Sequence, residues 1–223
     1  MVFELFKGQS GSGLEGVEAR MIDMLSTSAE VLRLAVSAFE QGTPASEIGD
    51  QIRKTDRQVN KAERSIRREL VVHASVHSGA DLPLVLVYMS IIKDIERVGD
   101  YAKNIWDVAA AIERGADKPD LSELTPMFRR TLDLASEIGE VYTARDVDRA
   151  TAVLNQADEW LDEYDTAVEE LMMSYVPSTV GVPKALLYRH LKRVTAHLMN
   201  VLTAVVMPFD RLDYWDEDKI DRE

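Results

Sequence analysis

Two pairs of oxygen-bearing side chains, each pair spaced four residues apart, are the part of this sequence best suited to chemistry. Glu96 and Asp100 form one pair, and Asp56 and Asn60 form the other. Residues four apart share one face of a helix, so each pair would point in one direction. Two such pairs on neighbouring helices can hold a hard or borderline cation through oxygen alone. The spacing is therefore compatible with a metal site, but from spacing alone we interpret these residues as solvated acids on amphipathic helices.

Other kinds of reactive site find little support in the sequence. The chain has no cysteine, which excludes disulfides and thiolate metal sites. His73 and His77 are four residues apart, but no H-E-x-x-H motif accompanies them, and we interpret them as a helix-end feature. Nucleophile elbows and phosphate-cradling glycine-rich loops are also absent from the sequence. We therefore predict no catalytic residue and no cofactor-binding residue besides the metal ligands.

The charge of the chain is strongly negative and unevenly distributed. A net charge of −13 disfavours binding to nucleic acid or to anionic lipid. Residues 209–223 carry seven acids against three bases, whereas residues 51–70 carry seven bases against three acids. The basic side chains of the second segment include a stripe on one helical face, formed by Arg53, Arg57, Lys61, Arg64 and Arg68. An acidic partner or phosphate could bind this stripe, but we interpret it as a solvated face paired with the chain's own acidic helices.

Neither a signal peptide nor a membrane span is predicted. The N-terminus lacks the basic start and long apolar stretch of a signal peptide. The longest strongly apolar run covers residues 82–92, which is shorter than the roughly 20 residues that cross a bilayer. We therefore expect a cytoplasmic protein that is peripheral to the membrane through a partner.

Helical periodicity runs through almost the whole chain and predicts an all-α fold. We expect helix caps at Thr43, Asp81 and Thr143, and a loop over residues 177–183. Short connections favour antiparallel neighbours, and hence two tandem three-helix bundles. We assign residues 1–117 to the first bundle with an N-terminal extension, and residues 118–223 to the second with an acidic C-terminal tail. Six helices are predicted, over residues 14–41, 45–77, 82–114, 122–142, 144–175 and 183–206.

A weak internal repeat supports this division into halves. Residues 93–104 can be aligned with residues 189–200, each on the third helix of its half. Three residues are identical in the two segments, where Arg97, Val98 and Asn104 match Arg193, Val194 and Asn200. Upstream, Asp56 and Asn60 line up with Asp158 and Asp162.

The chain resembles the PhoU family over residues 93–108, which read KDIERVGDYAKNIWDV. The six-helix layout and the repeat extend this resemblance over about residues 14–206. The resemblance implies acidic E/D-x-x-x-D motifs that can bind metal clusters on the bundle surface. A divalent or ferric ion is then expected at four residues, Asp56, Asn60, Glu96 and Asp100. It also implies an accessory role in phosphate uptake and phosphate signalling, through contact with a phosphate transporter, a sensor kinase or both. A homo-oligomer is left open.

The sequence departs from the family pattern in both halves. Asn60 stands where an acid is expected, and it can ligate through its carbonyl oxygen without adding charge. In the second half, Lys192 and Ala196 replace the expected acids. A protonated lysine cannot ligate a metal, so we expect metal only in the first half. We expect Lys192 instead to lie near Asp158 and Asp162 and to neutralise them.

Three classes of function remain open from the sequence. The leading hypothesis is a non-enzymatic adaptor in phosphate homeostasis. The second is a metal-dependent enzyme with a carboxylate-held cluster, such as an oxidase or a hydrolase. That class needs an open coordination position and usually histidine ligands, and no histidine lies near Glu96 or Asp100 in the chain. The third is a metal-free helical scaffold, which metal analysis of the purified protein separates from the other two.

Overall fold

Six long helices make up most of the computed structural model, which describes residues 13–77, 79–116, 118–212 and 214–216. No strand occurs within those ranges, so the predicted all-α fold is confirmed. The N-terminal extension up to residue 12 and the acidic tail after residue 216 lie outside the described residues. The helices are α1 (Glu15–Glu40), α2 (Ala45–Val76), α3 (Leu82–Arg114), α4 (Thr125–Ala144), α5 (Val147–Met172) and α6 (Ser178–Val206).

The helices form the two three-helix bundles that the sequence predicts. Helices α1, α2 and α3 all pack on one another, and α6 packs on both α4 and α5. The bundles are joined where α3 packs on α6 and where α1 packs on α4. Helices α2 and α5 therefore lie on the outside of a central group made by the other four. The assignment of a domain boundary at residues 117 and 118 stays a prediction.

The apolar stripes of α2 and α3 set the position of the acidic side chains. Ile52, Val59 and Ile66 recur at seven-residue intervals on α2 and are almost completely buried. Asp56 follows Ile52 by four residues, and Glu96 follows the buried Ile92 by the same interval. Both acids therefore lie at the edge of the core rather than on the opposite, solvated face. No helix within the described ranges combines the length with the apolar character that crossing a membrane requires.

The helix caps differ in part from those predicted. Pro44, rather than Thr43, is the N-cap of α2 and makes no side-chain hydrogen bond to the helix. The Glu113 carboxylate of α3 instead accepts a hydrogen bond from the backbone N–H of Ser46 at 2.9 Å. Asp81 is the N-cap of α3 as predicted, but its side chain makes no capping hydrogen bond. Its carboxylate oxygen instead lies 2.9 Å from the Nε2 atom of the buried His73. This contact gives His73 a structural role at the corner between α2 and α3.

The turn between α4 and α5 is also displaced from its predicted place. Thr143 is not a cap, because it lies within α4 and its hydroxyl donates to the carbonyl of Gly139 at 2.7 Å. Asp146 caps α5 instead, and its side chain accepts a hydrogen bond from the backbone of Arg149. Arg145 ends α4 in the left-handed conformation, with a φ of 52°.

The prediction of a loop over residues 177–183 is wrong, because α6 already begins at Ser178 and includes Pro183. Proline cannot donate the helical hydrogen bond to the residue four positions earlier, here Thr179. Thr179 is exposed on the first turn of α6, where water can bind its carbonyl group in place of that bond. The helix therefore tolerates this proline close to its start.

Candidate metal centre

Asp56 of α2 and Asp100 of α3 bring two carboxylates together where these helices pack. The pKa of Asp56 is raised above its ordinary value, first because the group is partly buried. The nearby Lys103 ammonium lowers this pKa, whereas the charge of Asp100 and a hydrogen bond to it raise the pKa further. The structure therefore brings these two predicted ligands together, at a distance where the Asp100 carboxylate disfavours ionisation of Asp56.

Glu96, one turn before Asp100, is buried with only 5% of its surface exposed. Burial is also the main reason that the pKa of Glu96 is raised, and Asp100 and Glu63 contribute through their negative charge. Lys93 opposes this effect, because its ammonium donates a hydrogen bond to the Glu96 carboxylate. Glu96 is thus the most deeply buried of the predicted ligands, and a lysine on its own helix stabilises its negative charge.

Glu63 is an acid of this site that the sequence analysis missed. It is buried, and its carboxylate lies 3.2 Å from Arg67 Nε and 4.0 Å from Lys93 Nζ. It follows Asp56 by seven residues and Asn60 by three, which places all three on one face of α2. The spacing of Glu63 from Asp56 and Asn60 on α2 could therefore have found it.

The predicted ligands have the right chemistry for a hard cation but are not arranged around one. All of them supply oxygen, which Mg²⁺, Mn²⁺, Ca²⁺ and ferric ions accept. Asn60 is partly buried one turn after Asp56. Within the described part of the chain, no three acidic or imidazole side chains come together in a group that could hold a metal ion. A cation could recruit Glu96 to the Asp56–Asp100 pair only by replacing Lys93.

The corresponding place in the second half contains an ion pair. Lys192 of α6 donates to the carboxylate of Asp165, and Arg189 lies 3.3 Å from the same residue. Lys192 was expected to lie near Asp158 and Asp162, which precede Asp165 on α5. The sequence therefore identified the cation that neutralises this part of α5, but it did not identify Asp165 as its partner.

The two repeated segments contact each other where α3 packs on α6. Asp94 lies 2.9 Å from His197 Nδ1 and accepts a hydrogen bond from the Asn200 side chain at 3.2 Å. The ring of Tyr101 stacks on His197, with 5.6 Å between the ring centres. These contacts hold the two bundles together beside the candidate centre. Sequence spacing does not reveal them, because it contains no information on which faces of distant helices meet.

Comparison with known families identifies a PhoU domain over residues 21–109. These residues run from the first turns of α1 almost to the end of α3. They contain every acid of the candidate centre, including Glu63. The match thus falls in the first half of the chain, which contains both pairs of predicted metal ligands.

Relatives with similar sequences extend over most of the chain. A Deinococcus radiodurans protein named phosphate-specific transport system accessory protein PhoU homolog is 25% identical over 200 residues. That alignment covers 87% of this chain and 90% of the relative. The Escherichia coli protein named phosphate-specific transport system accessory protein PhoU is 24% identical, over 80% of this chain and 74% of its own length.

Solved structures show the same architecture. PhoU from Pseudomonas aeruginosa superposes with a TM-score of 0.77 at 25% sequence identity, and covers 88% of this chain and 97% of its own. The phosphate transport system regulatory protein PhoU from Streptococcus pneumoniae has a TM-score of 0.75 over 95% of this chain and 97% of its own. At 19% identity, that second likeness concerns the fold alone. The resemblance of residues 93–108 to the PhoU family is thus confirmed, because residues 21–109 match the PhoU domain and relatives named PhoU align over most of the chain.

Proposed function

We propose that this protein is a regulatory accessory protein of phosphate uptake and phosphate signalling, which acts by contact with other proteins rather than by catalysis. The observation that carries the proposal is the similarity to PhoU proteins along most of the chain. The alignment with the Deinococcus protein covers 87% of this sequence and 90% of that protein. The partners we propose are a phosphate transporter, a sensor kinase or both, on the cytoplasmic side of the membrane.

The candidate centre supports a role for metal in this function. We propose that a divalent or ferric ion binds to Asp56, Asp100 and Glu96, with Asn60 as a neutral ligand. The support is electrostatic, because partial burial and mutual repulsion raise the pKa of both Asp56 and Glu96. A cation bound there would favour the ionised carboxylates and relieve that repulsion. The metal would then order the contact between α2 and α3.

Deleting the gene and following phosphate uptake and a phosphate-starvation reporter tests the proposed function. We expect at least one of the two to change between high and low phosphate, and the wild-type gene to restore it. The same response in the deletion strain and its parent, at both phosphate levels, would count against an accessory role.

Elemental analysis of the purified protein tests the metal site separately. We expect metal to copurify with the wild type and to be lost from Asp100→Ala. Asp107→Ala is the matched control, because Asp107 is exposed on the same helix, outside the centre. Equal metal content in all three proteins would remove Asp100 from the site. A wild type without metal would favour the metal-free scaffold over both the metal-binding adaptor and the metal-dependent enzyme.

A further inference from the structure

A groove with apolar walls lies between the last turns of α3 and the first turns of α6. It encloses a volume of about 780 Å³. Its walls include Val108 and Ile112 of α3 and Val182 and Leu186 of α6. Val182 and Leu186 are also exposed, although α6 contributes mostly buried residues farther along the helix. The groove therefore leaves apolar surface of this helix pair accessible.

Further exposed apolar side chains lie on the connection between α5 and α6, which leads into the groove at Ser178. Eleven large apolar side chains are exposed in the described part of the chain, and six of them fall within residues 172–186. Apolar side chains grouped in this way on a surface mark a place where another molecule binds. The six are Met172, Met173, Tyr175, Val176, Val182 and Leu186. We call these side chains, together with the groove, the α5–α6 surface.

Acidic side chains flank the α5–α6 surface. Asp107 lines the groove, and Glu169 and Glu170 lie in the last turn of α5. All three are exposed, and none forms an ion pair with lysine or arginine in the described ranges. The nearby bases Lys184 and Arg189 are paired, with Glu123 and Asp165 respectively. Their charge is thus offset by neighbouring acids.

We infer that the α5–α6 surface binds an amphipathic helix of a partner protein whose apolar stripe is flanked by basic residues. A helix that lays its apolar face into a groove is a recurrent form of recognition. Methionine side chains at the edge adapt to such a face, and acids around it select a basic flank. The inference rests on the proposed function only for placing that partner in the phosphate system.

A synthetic peptide provides a direct probe of this surface. The probe is a fluorescent amphipathic helix of about 18 residues, or five turns, built from leucine and lysine. A matched peptide carries glutamate in place of every lysine. Fluorescence anisotropy with the full chain, at physiological salt, should show the lysine peptide binding at least roughly tenfold more tightly than the glutamate peptide. Equal or stronger binding of the glutamate peptide would overturn the inference.

Two leucines on different parts of the molecule separate groove binding from general attraction to an acidic protein. Leu186 in the groove is 43% exposed, and Leu86 near the start of α3 is 42% exposed. Leu186→Gln should weaken binding of the lysine peptide by about tenfold, since a leucine contact is lost, while Leu86→Gln should leave it unchanged. Equal affinities of the two variants would refute the inference. If Leu186→Gln does not give a wild-type circular dichroism spectrum, Val182→Ser takes its place.

Other occupants of the surface give different results. Concentration-dependent self-association in sedimentation experiments, lost in Leu186→Gln but kept in Leu86→Gln, would assign the surface to a second copy of this chain. Binding to phosphatidylcholine vesicles with the same dependence on Leu186 would assign it to lipid. Either result would overturn the inference. Peptide binding does not depend on phosphate phenotypes, so failure here and failure of the gene-deletion test are distinguishable.

Discussion

One guanidinium nitrogen of Arg145 lies 3.0 Å from each carboxylate oxygen of Glu18 and so joins the turn after α4 to the first turn of α1. The hydroxyl of Tyr88, on α3, donates to the same carboxylate at 2.9 Å. Arg145 has a φ of 52°, in a left-handed region that costs an ordinary residue roughly 1–2 kcal/mol. The ion pair and the backbone strain at Arg145 therefore affect stability in opposite directions.

Two substitutions at Arg145 separate these effects. Arg145→Ala loses the ion pair and keeps the strained backbone, so we expect the free energy of unfolding to fall by about 1–2 kcal/mol. Arg145→Gly loses the pair but adopts the left-handed conformation without strain, and should be more stable than the alanine variant by about 1 kcal/mol. Urea unfolding of both proteins measures the difference. A glycine variant less stable than the alanine variant would show that strain at this turn is unimportant.

Gly49 of α2 lies against the indole ring of Trp106 of α3. A Cβ atom at residue 49 would be 2.5 Å from a ring carbon, whereas one at Gly99 would be 3.6 Å from the nearest atom, the Ser28 hydroxyl. The ring is held in place because its nitrogen donates to the Ala45 carbonyl at 2.8 Å. We expect Gly49→Ala to lower the free energy of unfolding by about 1–3 kcal/mol.

Gly99→Ala is the matched control for that substitution. It adds the same methyl group to a buried helical position with room for it. We expect its stability to be unchanged or raised by up to about 1 kcal/mol, since alanine favours helix over glycine. Chemical unfolding of the two variants in parallel is the measurement. Equal and small losses of stability would mean that Trp106 moves aside. Equal and large losses would mean that both positions reject any side chain.

The helices were predictable because long amphipathic segments carry the same signal many times. Ile52, Val59 and Ile66 each report the buried face of α2 independently, so one misleading residue does not hide it. The ends of helices depend on single residues. Thr143 and Pro183 were both misinterpreted, because a threonine and a proline each have more than one place in a helix.

The candidate centre was predictable only in part. The spacing of Glu96 and Asp100 shows that they share a face of α3, and the spacing of Asp56 and Asn60 shows the same for α2. The contact between Glu63 of α2 and Lys93 of α3 depends on the axial register of two packed helices. That register is set by side-chain packing between segments about 30 residues apart in the chain, which periodicity within one helix does not report.

Lys93 donates to the Glu96 carboxylate that the proposed metal site requires, which predicts an unusual effect of removing a base. Lys93→Gln should tighten binding of Mn²⁺ by up to about fivefold, since a half-exposed ion pair contributes about 1 kcal/mol or less. Lys61→Gln, an exposed change on α2, is the control for the loss of one positive charge. Equilibrium dialysis at neutral pH is the measurement. Weaker binding in Lys93→Gln than in Lys61→Gln would show that Lys93 assists metal binding.

The raised pKa of Glu96 predicts how stability changes with pH in the absence of metal. The pKa of this group in the folded protein lies above its ordinary value of 4.5, so the folded state binds more protons than the unfolded state. The free energy of unfolding should therefore rise as the pH falls through the folded pKa, and the gain is complete below the ordinary value. Glu96→Gln lacks this contribution. The stability of wild type relative to Glu96→Gln should thus increase on acidification from pH 7.

Asp120 gives the opposite sign and serves as the internal control. Its pKa is lowered, because the backbone N–H of Ser122 donates to its carboxylate at 3.0 Å. The stability of wild type relative to Asp120→Asn should therefore decrease as the pH falls through that lowered pKa. Urea unfolding in EDTA over a series of pH values measures both differences.

Adding a metal that binds at Glu96 should reverse the pH trend of the Glu96 difference, because metal ligands must be deprotonated and metal therefore stabilises the folded state more at higher pH. A Glu96 trend that falls on acidification in EDTA would contradict the effect of burial on this carboxyl group.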